Sequence, residues 1–238
     1  MLAIAMVGAL ILVLGFWFWW ACVTPSSTFF RPALSRGPQV GNQISLTFDD
    51  GPSEPFTDQV LDILREHRVT ATFFVCGKNV ESRPEVLRRI VAAGHEVGNH
   101  TFSHPYLFFK SRRRMVEEID RTQAVIQNVI GIRPVVFRPP YGGRWFGLVP
   151  ALLERGMRMV LWSATGYDWK KDAQGITEAT LRELKPGAII LLHDGREVCP
   201  GAEIDRTVTV AALPAIIAAA RERGYAFSPL TNFMSSCN

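Results

Sequence analysis

The sequence predicts a parallel α/β fold, in its simplest form a (β/α) barrel, for the residues that follow position 42. Short apolar runs rich in β-branched and aromatic residues alternate with amphipathic stretches of about 10–20 residues, which is the pattern of repeated βαβ units. About seven or eight such units occupy roughly 200 residues, close to the repeat number of a barrel. An open doubly wound sheet is the alternative, but no glycine-rich phosphate loop follows the first predicted strand.

The predicted strands are apolar runs bounded by polar or turn-forming residues. They cover residues 44–48, 70–75, 95–99, 135–137, 157–163, 188–192 and 225–227. The predicted helices carry apolar side chains at helical spacing, as Val60, Leu61 and Leu64 do in the first of them. They cover residues 56–67, 84–93, 111–129, 148–154, 176–184 and 208–221. Gly94 is a stop signal for the second of these helices.

The first 30 residues carry no charged side chain, and residues 2–23 are almost entirely apolar. At 1.5 Å per residue, such a helix is long enough for the hydrocarbon core of a bilayer, which is about 30 Å thick. Aromatic residues at positions 16–20 lie at its C-terminal end, and Trp favours the membrane interface. We therefore expect a transmembrane anchor or signal segment over residues 1–23, a linker over 24–42 and one folded domain over 43–232.

The residues at the C-terminal end of the apolar segment favour an uncleaved anchor over a cleaved signal peptide. A cleavable signal needs a basic start and small residues before the cut, whereas Trp19 and Trp20 stand close to Cys22. Cleavage of a signal peptide and lipidation of Cys22 are the alternatives. Arg31 and Arg36 follow the segment and no basic residue precedes it, so the positive-inside rule alone would place the domain in the cytoplasm.

The composition excludes several classes of protein. Charged residues make up 20% and hydrophobic residues 47% of the 238 residues, which excludes a disordered chain, a coiled coil and a collagen-like repeat. The formal net charge is +4, but no stripe of Lys and Arg with interleaved aromatic residues is present. We therefore expect no nucleic-acid partner, and no feature calls for an obligate protein partner.

The spacing of the four cysteines matches neither a zinc ribbon nor a redox pair. Cys76 ends an apolar run, so we expect it to be a small buried hydrophobic residue. Cys199 and Cys237 both lie in loop-like sequence near the C-terminus. A disulfide between them is possible in an oxidising compartment.

Polar residues collect at the C-terminal ends of predicted strands, the edge that carries the active site in barrel enzymes. Asp49 and Asp50 follow the first strand; neighbours in extended backbone point to opposite sides, so one could bind a metal ion while the other faces a substrate. His100 and His104 follow the third strand and are close enough in sequence to reach one metal ion. Pro105 disfavours helical backbone at His104, so we expect a loop there. Taken separately, an Asp-Gly-Pro turn and a pair of surface histidines would explain these residues.

Two further motifs end later strands. In the segment Arg138-Pro139-Pro140-Tyr141, the two prolines remove N–H donors, so the backbone N–H of Tyr141 is the next one able to bind an oxyanion. A stiff loop without catalytic function is the alternative. His193 ends the apolar run 188–192, where a histidine is often only a hydrogen-bonded core residue.

Together these residues supply what metal-assisted hydrolysis needs. One Asp and two His make a three-ligand site with positions left for water and substrate, and a divalent metal ion there lowers the pKa of water and polarises a carbonyl. A second Asp can accept the proton of the water, and a His from another strand can protonate the leaving group. We therefore predict a hydrolase that acts on an amide or an ester bond.

The motifs, taken in order, resemble those of the NodB-type polysaccharide deacetylases, carbohydrate esterase family 4. The resemblance covers residues 43–230 and includes Thr-Phe-Asp-Asp-Gly at 47–51, His-x-x-x-His at 100–104 and Arg-Pro-Pro-Tyr at 138–141. It implies a distorted (β/α)7-type barrel and an enzyme that uses zinc or another divalent metal ion, with Co, Ni, Mn and Fe as alternatives. It also implies release of acetate from a glycan that contains N-acetylglucosamine, such as peptidoglycan or a chitin oligomer.

The resemblance also implies a role for each motif residue. Asp50, His100 and His104 match the metal ligands, Asp49 matches the general base, and Arg138 matches the residue that orients this base.

On the other side of the expected cleft, His193 matches the general acid and Asp168 its partner. The backbone of Tyr141 matches the donor to the oxyanion. The residues expected to contact the substrate are Pro139, Tyr141, Trp169 and Leu191.

The sequence departs from the family pattern at Thr165, where many relatives carry Asp, which leaves the local loop and the substrate preference open. An O-acetyl glycan esterase and a membrane-tethered glycan-binding protein without activity are alternatives, and the two-His-one-carboxylate set also occurs in non-haem Fe(II) oxygenases. Because exported glycans lie outside the cytoplasm, we expect a membrane-anchored protein with an extracytoplasmic catalytic domain. Secretion after signal cleavage is the alternative.

Overall fold

The computed structural model describes residues 1–39, 41–195 and 205–235 of the chain. Cys199 and Cys237 lie outside the described residues, so the disulfide between them stays a prediction. Cys76 is buried, as expected from its apolar run.

Nine strands, β1 to β9, are present within the described residues. They are Ala33–Leu34, Gln43–Asp49, Ala71–Val75, Glu96–Asn99, Val136–Phe137, Arg158–Val160, Ala164–Thr165, Ile189–His193 and Ala226–Phe227. Nine α-helices, α1 to α9, accompany them, with a 3-10 turn at Pro140–Gly142 after β5. The helices are Leu2–Val23, Phe56–His67, Gly77–Ser82, Pro84–Ala92, Arg112–Ile130, Leu148–Leu153, Ala173–Glu183, Thr207–Glu222 and Leu230–Ser235.

All named strands pair in parallel, in the order β1-β6-β5-β4-β3-β2-β8-β7, and β9 pairs with the beginning of β2. The sheet curls, because the segment that contains β1 reaches from β6 to β8. The amide of Leu161 donates to the carbonyl of Leu34 over 2.8 Å, and the amide of Gly37 donates to the carbonyl of Gly187 over 2.8 Å. The predicted distorted α/β barrel is confirmed.

Three differences from the predicted elements have a common cause. Of the run 157–163 only Arg158–Val160 forms a strand, β6, and a further short strand, β7, follows at Ala164–Thr165; between them the chain passes from the neighbour of β5 to the neighbour of β8. Strand β1 lies inside the expected linker, and helices α3 and α9 were not predicted. Elements of two to six residues are too short for a periodic pattern, so tertiary contacts decide them.

The largest hydrophobic cluster packs β2, β3 and β8 against α2, α4, α7 and α8. Phe48 and Phe73 stack in its centre with ring centroids 5.2 Å apart. A smaller cluster joins side chains of β3, β5, β6 and β8 with Phe233 of α9. Since β3 and β8 are not neighbours in the sheet, these side chains meet across the inside of its curve. This leaves the carboxyl ends of the strands as the open edge of the fold.

Helix α1 stands out because its apolar side chains face outward. Within the described residues, Ile4–Val23 is the one helix long and apolar enough to cross a membrane, with a mean hydropathy of 2.1 and only 11% of its most apolar window buried. A signal sequence near the N-terminus has the same properties.

Candidate active site

A cleft of about 380 Å³ opens at the carboxyl ends of the strands and gathers most of the predicted site residues. Its lining consists of Asp49, Asp50, His100, His104, Tyr141, Trp162, Trp169, Leu191, His193 and Arg206. These residues come from segments that are far apart in sequence, and the parallel topology brings their strand ends to one edge.

Asp49 and Asp50 face the same cleft, which corrects the expectation that they point to opposite sides. Strand β2 ends at Asp49, and Asp50 has a φ of 71°, so the alternation of extended backbone does not continue through it. His100 Nε2 therefore lies 3.7 Å from Asp49 Oδ2 and 3.3 Å from Asp50 Oδ1. The side-chain amide of Asn79 donates to the carbonyl of Asp50 over 2.7 Å and holds this turn.

Asp50, His100 and His104 are buried and offer ligand atoms that lie within 4.8 Å of one another. His100 Nδ1 is 2.7 Å from the carbonyl oxygen of Arg138. Because that oxygen can only accept, Nδ1 carries the proton and Nε2 presents a lone pair toward Asp50. Asp50 Oδ1 has no hydrogen-bond partner. A buried carboxylate oxygen that faces an imidazole lone pair is stabilised by a cation, so these residues fit a divalent metal ion.

The loop that carries the two histidines is held from behind by Glu118 of α5. Glu118 Oε2 accepts from the amides of Phe102, over 3.0 Å, and Ser103, over 2.8 Å. Its Oε1 accepts from the hydroxyl of Ser103 over 2.8 Å. The backbone from 100 to 104 is a loop, as Pro105 predicted.

Arg138 is fully buried and connects Asp49 to the interior of the sheet. Its Nη1 donates to Asp49 Oδ1 over 2.6 Å and to Thr47 Oγ1 over 2.8 Å, and its Nη2 donates to the carbonyl of Leu161 over 3.0 Å. The guanidinium also lies over the ring of Phe74, 4.1 Å from the centroid. Burial lowers the pKa of Arg138, and the charge of Asp49 partly offsets that effect. The orientation of Asp49 is therefore fixed by a cation that is itself fixed by the sheet.

His193 and Asp168 form a second buried pair on the opposite side of the cleft. His193 Nδ1 is 2.8 Å from Asp168 Oδ1, and the amide of His193 donates to Asp168 Oδ2 over 2.8 Å. Thr209 also donates to Oδ2, over 2.9 Å. Burial alone would lower the pKa of His193, but the charge and hydrogen bond of Asp168 outweigh it and raise that pKa to about 9. Burial alone would raise the pKa of Asp168, and the charge of His193 instead holds it below the ordinary value.

Tyr141 lies in the 3-10 turn with φ of 57° and ψ of 14°, and its ring stacks on Tyr106 with centroids 4.0 Å apart. The ring of Trp169 is perpendicular to that of His193, with ring centroids 5.4 Å apart. Trp169 and Leu191 both line the cleft. Pro139 is buried, and its carbonyl accepts from the amide of Gly142 over 3.0 Å. Its contact with substrate stays a prediction.

Three residues at the site were missed by the sequence reasoning: Trp162, Arg206 and Asp194. Trp162 and Arg206 line the cleft, and no motif marks either of them. Asp194 follows His193 directly, but its side chain turns under the β2–α2 loop, where Thr57 donates to its Oδ2 over 2.5 Å. Burial raises the pKa of Asp194 to about 7; the hydrogen bond from Thr57 opposes this, and the charges of the neighbouring aspartates add to it.

Thr165, which stands where many relatives carry Asp, makes two local hydrogen bonds. The amide of Thr165 donates to Glu183 Oε2 of α7 over 2.8 Å, and the hydroxyl of Thr165 accepts from the amide of Tyr167 over 3.3 Å. The Asp168–Trp169 segment is thus connected to α7 through these contacts.

Residues 36–160, more than half of the chain, match the family model described as polysaccharide deacetylase. The chain belongs to this family. The resemblance inferred from the motifs is therefore confirmed, and so is the enzyme class, since curated polysaccharide deacetylases align with most of the chain.

Two curated relatives illustrate the range of this deacetylase family. A chitooligosaccharide deacetylase of Sinorhizobium fredii is 42% identical over 192 residues, which cover 76% of this chain and 87% of the relative. A peptidoglycan-N-acetylglucosamine deacetylase of Bacillus cereus is 35% identical over 215 residues, which cover 90% of this chain and 76% of the relative.

Among solved structures, this deacetylase fold is similar to a crystal structure of a peptidoglycan N-acetylglucosamine deacetylase in complex with 4-naphthalen-1-yl-N-oxidanyl-benzamide. The TM-score is 0.78 at 35% sequence identity, and the match covers 84% of this chain and 92% of that chain.

Proposed function

We propose that the protein is a metal-dependent N-deacetylase that releases acetate from N-acetylglucosamine units of peptidoglycan or of a chitin oligomer. The observation that carries the proposal is that a set of metal-ligating side chains and a separate histidine–aspartate pair meet at one cleft. The Asp50, His100 and His104 triad lies beside Asp49, and His193 faces them from another strand. The two substrate classes are those acted on by the relatives that align with most of the chain.

Asp50, His100 and His104 would hold the metal ion, for which zinc suits the two imidazoles and one carboxylate best. A divalent ion at that place lowers the pKa of water and polarises an amide carbonyl. Asp49 accepts the proton of the attacking water as general base, and Arg138, 2.6 Å from its Oδ1, fixes the orientation of its carboxylate.

His193 then donates a proton to the departing sugar nitrogen. This role needs a protonated imidazole at neutral pH, and the raised pKa of about 9 provides it. Asp168 holds Nδ1, which leaves Nε2 as the nitrogen that can face the substrate. The backbone amide of Tyr141 stabilises the oxyanion, and Trp169 and Leu191 enclose the acetyl methyl group.

The place of action follows from the substrate. Peptidoglycan and exported glycans lie outside the cytoplasm, so we propose that α1 anchors an extracytoplasmic catalytic domain. A reporter fused after Asn238 tests this topology: activity of a reporter that works only outside the cytoplasm supports it, and activity of a cytoplasmic one contradicts it.

The full-length chain, stripped with chelator and resupplied with zinc or cobalt, provides the direct test of function. The substrates are N-acetylglucosamine oligomers, purified peptidoglycan and, as the ester control, O-acetylated xylan, with acetate as the product measured. Metal-dependent release from either N-acetylated glycan supports the proposal and begins to name the substrate. Release from xylan alone would identify an O-acetyl esterase, and no release from any of the three by metal-loaded protein would contradict hydrolase function.

A further inference from the structure

Arg144 is a fully buried arginine outside the cleft, and its partners lie at the end of the apolar helix α1. Its Nη2 donates to the carbonyl of Ala21 over 3.0 Å and also to that of Thr24. Its Nε donates to the carbonyl of Cys22 over 3.3 Å, and its Nη1 donates to that of Ser27 over 3.0 Å. The backbone amide of Arg144 bonds the same Cys22 carbonyl over 3.0 Å.

These contacts give the C-terminus of α1 a cap from a distant part of the chain. The last carbonyls of a helix have no partner within the helix, and a cation is favourable there because of the helix dipole. Removal of α1 would leave the buried charge of Arg144 without the carbonyls of Ala21 and Cys22, which is costly. Arg144 therefore indicates that α1 is part of the folded protein and is fixed to it.

The cap lies next to the candidate active site. Arg144 lies three residues after Tyr141 in the sequence. A methyl group added at Gly142 would lie 2.9 Å from the ring of Trp162, on the cleft wall, and 3.6 Å from the carbonyl of Val23 at the end of α1. The end of α1 and the wall of the cleft are thus in contact with the same turn.

Aromatic side chains surround the exit of α1 from the domain. We name Phe18, Phe29, Phe109, Trp145 and Phe146 the aromatic collar. Phe18 of α1 lies 5.8 to 5.9 Å from Phe29, Trp145 and Phe146, measured between ring centroids. Phe109 is 4.6 Å from Trp145. Phe109 is 83% exposed, Phe146 57% and Phe29 45%.

A contiguous exposed aromatic patch marks an interaction surface, and its position identifies the partner. The collar is continuous with a helix that can span a bilayer, and aromatic side chains favour the bilayer interface. Four of the five residues at 110–114 are basic. Within the described residues their ion pairs are with Glu117 and Glu154, so this stretch beside Phe109 keeps a positive charge that suits anionic lipid headgroups.

We propose that the aromatic collar seats the catalytic domain on the bilayer that α1 crosses, so that the cleft acts on glycan presented at the membrane surface. Arg144 makes the seating rigid because it ties the helix end to the turn that bears Tyr141. The substrate part of this inference rests on the proposed deacetylase function, whereas the contact with lipid does not.

The activity test uses the full-length chain in vesicles that contain anionic lipid. Acetate release is measured from a soluble N-acetylglucosamine oligomer and from the same oligomer coupled to a lipid in those vesicles. The double variant Phe109→Ser, Phe146→Ser should lose about tenfold on the coupled oligomer, because α1 still anchors the protein but the collar no longer holds the cleft at the membrane surface, and stay within twofold on the soluble one. The control is Ile132→Ser, which removes a side chain that is 52% exposed outside the collar, and it should change neither rate. A double variant that keeps the wild-type rate on the coupled oligomer would overturn the surface-acting arrangement.

Lipid contact has a separate readout that needs no activity. Brominated lipids with the bromine near the headgroup quench the fluorescence of Trp side chains at the interface. The difference in Trp fluorescence between the wild type and Trp145→Phe reports Trp145 alone. Quenching of that difference signal supports the collar; a difference signal that these lipids leave unchanged overturns it, even where acetate release is absent. The variant Arg144→Met should further raise deuterium uptake in residues 20–30, and unchanged uptake in folded protein would contradict the rigid cap.

Discussion

Single residues at the site act through two buried ion pairs that have different consequences. Arg138 fixes the orientation of Asp49, the proposed base, whereas Asp168 keeps His193, the proposed acid, protonated at neutral pH. The two pairs come from different strands and face each other across the cleft. Their separation is what lets one fold hold an acid and a base at the same pH.

Replacing Asp49 with Asn should reduce turnover by about 10²–10⁴ and leave metal content unchanged, because the amide cannot accept the proton but the three ligands remain. Acetate release and metal analysis on the same preparation check both parts. Turnover near that of the wild type would remove Asp49 from the mechanism.

Replacing Asp168 with Asn should lower the pKa of His193 from about 9 to its ordinary range or below, since burial of the imidazole remains. The folded-state pKa of His193 lies above its ordinary value of 6.5, so stabilisation by the pair is lost as the pH rises from 6.5 through 9. The folded-state pKa of Asp168 lies below its ordinary value of 3.8, so stabilisation is also lost in stronger acid, as Asp168 is protonated. The stability deficit of the variant should therefore be largest between pH 3.8 and pH 6.5. NMR titration of His193 and unfolding at several pH values check this, with the exposed helix cap Asp172→Asn as a control that leaves His193 unchanged.

Asp194 provides a second test of pH-dependent stability, in the chelator-treated protein. Its folded-state pKa of about 7 lies above the ordinary 3.8, so its contribution to stability is complete below pH 3.8 and is lost as the pH rises through 7. Asp194→Asn keeps an acceptor for Thr57 but cannot ionise. Within that pH window, its free energy of unfolding should therefore rise by about 1.4 kcal/mol per pH unit relative to that of the wild type. Denaturation of both proteins at pH 5 and at pH 7 measures this. A difference in free energy of unfolding that is the same at the two pH values would contradict a buried, protonated carboxyl at Asp194.

At the scale of elements, helix α5 positions the histidine loop through one buried carboxylate. Glu118→Ala would leave the amides of Phe102 and Ser103 without their acceptor, at a cost of about 1–3 kcal/mol each where they stay buried. We expect weaker metal binding and lower thermal stability. Glu117→Ala on the exposed face of the same helix is the matched control, and a competition titration with a chelator measures both. Equal metal affinities in the two variants would show that α5 does not shape the site.

At the scale of the whole molecule, the metal ion should contribute to folding because its ligands come from two strand ends and a loop. A ligand present at 100 times its Kd stabilises a fold by about 2.7 kcal/mol, and each kcal/mol corresponds to about 2–4 °C in Tm for a domain of this size. Chelation should therefore lower the Tm by about 5–10 °C. His104→Ala should abolish that response to chelator, and a Tm that is the same with and without metal in the wild type would argue against the triad.

Much of this molecule was accessible from sequence. Helix Phe56–His67 has the predicted bounds, and most other helices and strands differ from the predicted ranges by one to three residues. Apolar periodicity is a local signal, and each of these elements is long enough to display it. The chemistry of the cleft was also accessible, because the motifs place charged side chains where apolar strands end.

Only the tertiary structure decided how those side chains meet. The sequence placed the two aspartates on opposite sides, but the left-handed backbone at Asp50 turns both into one cleft. Trp162 and Arg206 reach the site from segments without a motif, and the interior contact of Arg144 with α1 spans about half of the chain. Sequence patterns report burial and local conformation, whereas a contact between distant segments depends on the path of the whole sheet. By itself, therefore, the sequence determined the longer elements, the family and the motifs that meet at the cleft, and the curl of the sheet decided their geometry.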